Sequence, residues 1–299
     1  MKMAASAGGA DAGAWLELDL LDTSAAVEAV LAGQARVADA VAVAQQSIAA
    51  AVELIVDRYD AGGRILLLGA GTSGRLAVQE AVEVPGTYGI DPDRIQGRVA
   101  GGGPGQLVGS DAAEDDAARG RADLDELAAG PADVLIAVAA SGRTPYTVAA
   151  ATRARELGAA VVTVTNQPGS ELAGLAEVAI EVPVGVEVVA GSTRLAAGTA
   201  QKLVLNTLTT AAMIRLGHVH RNYMVDVVPA NDKLRHRVSG VVAASTGATE
   251  DEAWTALQRC DWNARAAIVH LATGLDARQA ARHAAAHRTV REAIEAARG

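Results

Sequence analysis

The residues best suited to chemistry lie in two glycine-rich turns and in two glutamates near them. The first turn, Gly69–Gly74, carries Gly71, Thr72 and Ser73. The second, Ala139–Pro145, carries Ser141, Arg143 and Thr144. Each follows a short continuous apolar run and precedes a helical pattern, as a buried parallel strand feeding a helix does. Backbone N–H groups at such a helix start favour an anion, most simply a phosphate, and hydroxyls add donors. Glu83 follows the first turn on the same predicted helix, just before Pro85. Glu114 opens the acidic run Glu114-Asp115-Asp116. Two carboxylates in different environments can divide acid and base duties, one protonated and one ionised. Each also has a plainer reading. Glu80 and Glu83 are spaced like solvated acids on a helix, and an acidic first turn suits the helix dipole.

The first turn also matches G-x-G-x-x-G, the dinucleotide fingerprint. That fingerprint expects an acidic residue near the end of the second strand. Here the second strand ends in Ala100-Gly101-Gly102. The hydroxyls suit a terminal phosphate better. A third hydroxyl segment, Gly191-Ser192-Thr193, precedes a long helix. Arg143, Arg194 and Lys202 lie near these loops, as anion ligands or as ordinary surface charge. None of the six histidines has metal-site spacing with carboxylates, and Ser141 lacks the G-x-S-x-G setting of a hydrolase nucleophile.

The elements that must position these residues follow from periodicity. A helical stretch runs from Thr23 or Ser24, either a plausible cap, to about Tyr59, broken near Gly33. Strands are expected at Ile65–Leu68, Ile95–Ala100, Val134–Val138, Ala160–Thr165 and Val178–Val182. Helices are expected after the first turn up to a Pro85-Gly86 corner, over Asp111–Leu127, from Pro145 to about Leu157, and from about Arg194 to Leu216. Ser192 or Thr193 would cap the last of these. From about Pro229 only helices remain, near 230–243, 249–259, 262–272 and 276–296, with Gly247 and Gly274 as stops. Alternating strands and helices predict an α/β fold with a parallel sheet covered on both faces. The division expected is 1–60 (lead-in and helices), 61–228 (ligand-binding domain) and 229–299 (C-terminal all-helical domain).

Composition sets the outer bounds. The 299 residues allow a sizeable core, and with half of them apolar, 2% aromatic and no Phe, that core must be aliphatic. A net charge of −9 argues against general binding to nucleic acid or an anionic membrane. Cys260 is the only cysteine, so no intrachain disulfide exists. Residues 1–14 read as a disordered lead-in rather than a signal peptide, and no apolar run has the length of a membrane span. A cytoplasmic protein is the expectation.

With these residues in view, the chain resembles the N-acetylmuramic acid 6-phosphate etherases, a branch of the sugar-isomerase (SIS) fold. The resemblance runs from about Ala61 to Leu234 and more weakly beyond. It rests on Leu67–Leu76, on Glu83–Gly89 (E-x-P-x-T, then an aromatic residue and Gly), and on Ala100–Gly102 with Ala113–Asp116. Ala139–Tyr146, Gly191–Asn206, Met224–Val227 and Asn231–Leu234 complete it. It implies a three-layer parallel-sheet SIS sandwich. It also implies a lyase that removes D-lactate from C3 of a phosphorylated amino sugar by elimination and then adds water, with no cofactor or metal. In the family the E-x-P glutamate protonates departing lactate, and falls on Glu83. The A-E-D glutamate is the second catalytic residue, the C2 base, and falls on Glu114. Gly71 and the hydroxyls of Thr72, Ser73, Ser141, Thr144, Ser192 and Thr193, with Arg143, would hold the phosphosugar. A homodimer is implied. The usual N-terminal T-E-x-R-N segment is replaced by Trp15-Leu-Glu-Leu-Asp-Leu, a usual lysine by Ala196, and a usual proline by Val186. The cysteine and second proline of E-C-P-P are Val84 and Gly86. Rival readings are a non-catalytic phosphosugar sensor and an aldose–ketose isomerase on the same fold, or a paralogue with a related substrate.

Overall fold

Five apolar runs pair into one sheet, as strands covered on both faces must. The structure, a computed structural model, describes residues 15–103 and 105–299. The expected N-terminal lead-in of residues 1–14 lies outside the described residues. The strands are β1 (Ile65–Gly69), β2 (Ile95–Val99), β3 (Val134–Ala139), β4 (Ala160–Thr165) and β5 (Val178–Glu181), in the order β2-β1-β3-β4-β5. β1 with β3, β3 with β4 and β4 with β5 run parallel, and Gly69 lies opposite Val138. The chain leaves β1 for one edge of the sheet and then returns to build the other. The loops leaving β1 and β3 therefore diverge and open a crevice, where open α/β sheets take ligands. The two glycine turns stand at neighbouring strand ends, as their sequence echo suggested.

Helices cover both faces. α5 (Ala117–Glu126) and α6 (Pro145–Glu156) close one face over Leu66, Leu68, Leu135 and Ala137. Alanines at 150, 151 and 154 let α6 lie close to the strands. On the other side α3 (Gln45–Asp60) buries Ile48, Val52 and Ile55 and packs against β3 and β5. The fold is the α/β sandwich that the sequence predicts.

Several boundaries differ, each for a local reason. The N-terminal helical stretch is three helices, α1 (Thr23–Gln34), α2 (Val37–Val43) and α3. Its cap is Asp22, whose carboxylate accepts from Ala25 N at 2.9 Å, rather than Thr23 or Ser24. α4 (Gly71–Tyr88) does not stop at a Pro85-Gly86 corner, because Pro85 falls in its final turns and Gly89 N closes onto Pro85 O at 2.8 Å. The predicted helix 111–127 divides into a 3-10 segment (Asp111–Asp115) and α5, since Asp116 turns the chain and caps α5 through Arg119 N.

The described chain forms two compact units, the residues up to Ala81 with Gln96–Leu208, and Val82–Ile95 with Thr209–Gly299. The second unit holds a short antiparallel pair that the sequence reading missed, β6 (Val219–His220) with β7 (Tyr223–Met224). Its helices follow α7 (Ala196–Arg215) and are α8 (Asp232–Thr246), α9 (Glu250–Arg259), α10 (Ala264–Thr273), α11 (Ala277–Ala286) and α12 (Val290–Arg298). The single helix expected over 276–296 is two, since Thr289 starts α12 with its own capping box. Gly247 and Gly274 end α8 and α10 in the left-handed conformation. The unit's core includes Val242, Leu257, Ile268 and the buried thiol of Cys260. No single helix among the described residues is long and apolar enough to cross a membrane.

Candidate active site

The crevice is built on the turn that joins β1 to α4. Gly71 has a φ of +54°, and a Cβ there would stand 2.5 Å from Glu114 Oε1. Only glycine meets both conditions. Gly74 is needed for a different reason, since a Cβ there would lie 2.7 Å from Val99 Cγ2 and so push α4 off the strand ends. The Glu114 carboxylate thus rests against the first residue of α4, half-buried, near the positive end of that helix. The 3-10 segment that carries Glu114 packs on α6, the helix that starts just after Ser141–Thr144. Glu114, the Gly71 turn and the second glycine turn are therefore assembled by one unit of the protein.

The second turn is left open to a ligand. Thr144 occupies the cap position of α6 without a side-chain cap bond, and Pro145 fills the first helical position. Ser141 Oγ accepts from Arg143 N at 3.3 Å, a bond that does not use the hydroxyl's own proton. Both Ser141 and Arg143 are exposed. Beneath them Tyr146 is fully buried, and its hydroxyl donates to Asp123, itself buried and paired with Arg119. Burial, and then the bond to Asp123, push the Tyr146 phenol far above its ordinary range. The pair fastens α6 to α5 directly below the loop.

The hydroxyls predicted to bind phosphate are not equivalent. Ser73 is buried, and its Oγ donates to Gln201 Oε1 at 2.9 Å. Gln201 Nε2 donates to Asn166 Oδ1 at 2.9 Å, and Asn166 Nδ2 to Val182 O at 2.9 Å. This chain of amides ties α4 and α7 to the carboxyl ends of β4 and β5. Thr72 lies nearer the surface, with its methyl 3.4 Å from where a Cβ on Gly198 would be. The start of α7 therefore adjoins the first turn. Neither Ser192 nor Thr193 is the side chain that holds α7's end. Glu187 reaches over from the preceding loop and accepts from Ala196 N and Ala197 N, each at 2.9 Å. The anion favoured at that helix start is supplied by the protein itself, and sequence reasoning missed it.

Of the two acids on α4, one contradicts its plain reading and the other does not. Glu80, expected as a solvated surface acid, is 2% exposed and accepts from Lys202 Nζ at 3.0 Å and Asn206 Nδ2 at 2.6 Å. Glu83 is exposed. The sequence reading put it beside the phosphate turn. Glu83 belongs to the second compact unit, whereas Gly71 and Glu114 belong to the first.

A doubly wound sheet with hydroxyl turns after β1 and β3 and a carboxylate against the first of them defines a SIS-domain protein. Two SIS domain models match residues 31–166 and 122–211. A phosphoheptose isomerase from Francisella tularensis has a similar fold, with a TM-score of 0.50 at 16% identity, over 65% of this chain and 100% of that one. Far closer in sequence are N-acetylmuramic acid 6-phosphate etherases. That of Rubrobacter xylanophilus is 47% identical over 270 residues, 90% of each chain, and that of Symbiobacterium thermophilum 50% identical over 260 residues, 87% of this chain and 86% of the other. The chain belongs to the N-acetylmuramic acid 6-phosphate etherase family.

Proposed function

We propose that this protein is a carbon–oxygen lyase that cleaves the D-lactyl ether of N-acetylmuramic acid 6-phosphate, giving N-acetylglucosamine 6-phosphate and D-lactate in amino-sugar recycling. Identity of 47–50% to etherases across nine-tenths or nearly so of the chain carries the reading. In the open-chain sugar the aldehyde acidifies the C2 proton. Glu114 takes that proton. The C–H electron pair becomes the C2–C3 double bond as the C3–O bond breaks, and Glu83 protonates the departing lactate oxygen. Water then adds its oxygen to C3, and C2 regains a proton. The phosphate is held by the α6 start with Ser141, Arg143 and Thr144, and by Gly71 and Thr72. Ser73 supports the turn through Gln201, and Ser192 and Thr193 line the approach at α7. Residues 61–228 carry the chemistry and 229–299 form a supporting helical domain.

The reading includes a homodimer. Glu83 is exposed, and in that dimer it serves the Glu114 of the other copy. Purified protein is tested for D-lactate release from N-acetylmuramic acid 6-phosphate, beside Glu83→Gln and Glu114→Gln. Release by the wild type and its loss in both variants supports the reading. Phosphosugar binding without release moves the assignment to a sensor, and aldose–ketose interconversion without release moves it to an isomerase.

A further inference from the structure

A cavity of about 440 Å³ lies beside the first turn, and neither glycine turn's phosphate chemistry accounts for it. Its walls include Thr72, Leu76, Arg194, Lys202, Leu203 and Asn206. The two cations differ. Lys202 is balanced by the buried Glu80, which also accepts from Asn206. Arg194 is exposed and makes no ion pair among the described residues. Glu187 already serves the positive end of α7. The cavity therefore carries one net positive charge, from a guanidinium, between two leucine walls. A ligand matching it has a single carboxylate and a small apolar group. Guanidinium suits a carboxylate because its planar fork bonds both oxygens. Thr72, one of the walls, follows Gly71, against which Glu114 rests.

We propose that this cavity is the lactyl subsite: Arg194 receives the lactyl carboxylate, and Leu76 and Leu203 receive its methyl group. The assignment rests on the etherase reading and makes Arg194 a specificity-determining residue. It also gives Arg194 a share in the reaction. A carboxylate already paired with a cation is a less repulsive neighbour for Glu114, which is ionised until it takes the C2 proton.

Equilibrium binding separates this proposal from its rivals. Three probes are compared on the wild type, Arg194→Ala and Arg194→Lys: N-acetylmuramic acid 6-phosphate, its lactyl amide, and N-acetylglucosamine 6-phosphate, which keeps the phosphate and lacks the lactyl arm. The acid is measured on a Glu114→Gln background so that it is not consumed. Loss of a charge-assisted bond predicts about 10- to 100-fold weaker binding of the acid to Arg194→Ala, with partial recovery in Arg194→Lys. The amide and the arm-free sugar bind wild type and Arg194→Ala within about twofold of each other, a margin within ordinary surface-substitution effects. Equal weakening of all three probes assigns Arg194 to the phosphate and overturns the proposal. Unchanged binding of all three also overturns it. Failure of the etherase reading shows separately, as no lactate from the wild type.

Discussion

At the scale of single residues, the tightest constraint is the approach of Glu114 to Gly71. Glu114→Gln keeps the shape and removes the base, so kcat should fall by about 10²- to 10⁴-fold while KM changes little. The same variant run in deuterated water should stop solvent label from entering C2 of added product. Gly71→Ala attacks the same carboxylate from the other side. Its methyl would meet Oε1 at 2.5 Å, and the left-handed φ costs a non-glycine residue about 1–2 kcal/mol. Thermal unfolding should report that cost, and activity should drop with it. Gly71 and Glu114 were both legible in the sequence as candidates. Their contact was not, because it depends on a 3-10 segment that turns at Asp116. Glu80 was misread for a related reason. Spacing on a helix says which residues share a face, and here α7 covers that face with Lys202 and Asn206.

At the scale of elements, the strands were legible because buried parallel strands are continuous apolar runs, and all five lie within a residue or so of expectation. Helix ends were less so. The start of α7 is held by a carboxylate from well upstream in sequence, which no local rule finds. Glu187→Ala should cost about 1–2 kcal/mol in denaturant unfolding, the size of a lost cap, and Glu187→Gln rather less. Tyr146 fastens the second glycine turn from below. Tyr146→Phe leaves Asp123 buried with Arg119 alone, and should cost about 1–3 kcal/mol with only a small effect on the chemistry. A large fall in kcat without lost stability would instead give the phenol a part in the reaction.

For the whole molecule, two predictions follow from charge and assembly. Asp133 is buried, and burial alone would raise its carboxyl. Hydrogen bonds from the Arg64 side chain and backbone and from Gly130 N outweigh burial and hold it below the ordinary range. The folded protein then binds fewer protons at this site than the unfolded chain. Its stabilisation is present above the ordinary aspartate value of about 3.9 and is lost as pH falls through the depressed folded value. Asp133→Asn should flatten the acid limb of a stability–pH curve. Assembly is tested by mixing. If one copy's Glu83 serves the other's Glu114, co-expressed Glu83→Gln and Glu114→Gln chains, each inactive alone, should recover up to about a quarter of wild-type lactate release, because random pairing makes half the dimers mixed and each mixed dimer keeps one intact site of two. No recovery from verified mixed dimers would return both acids to one chain.

The lone thiol has a practical consequence. Cys260 sits in the core of the helical unit, and burial and Asp261 raise its pKa. A thiol reagent reaches it when its surroundings open, so native-state labelling is a built-in clock for that event. With no second cysteine to confuse the signal, the rate can be read on the unaltered enzyme, with and without phosphosugar. A ligand-dependent rate would mean that the helices far along the chain feel the sugar.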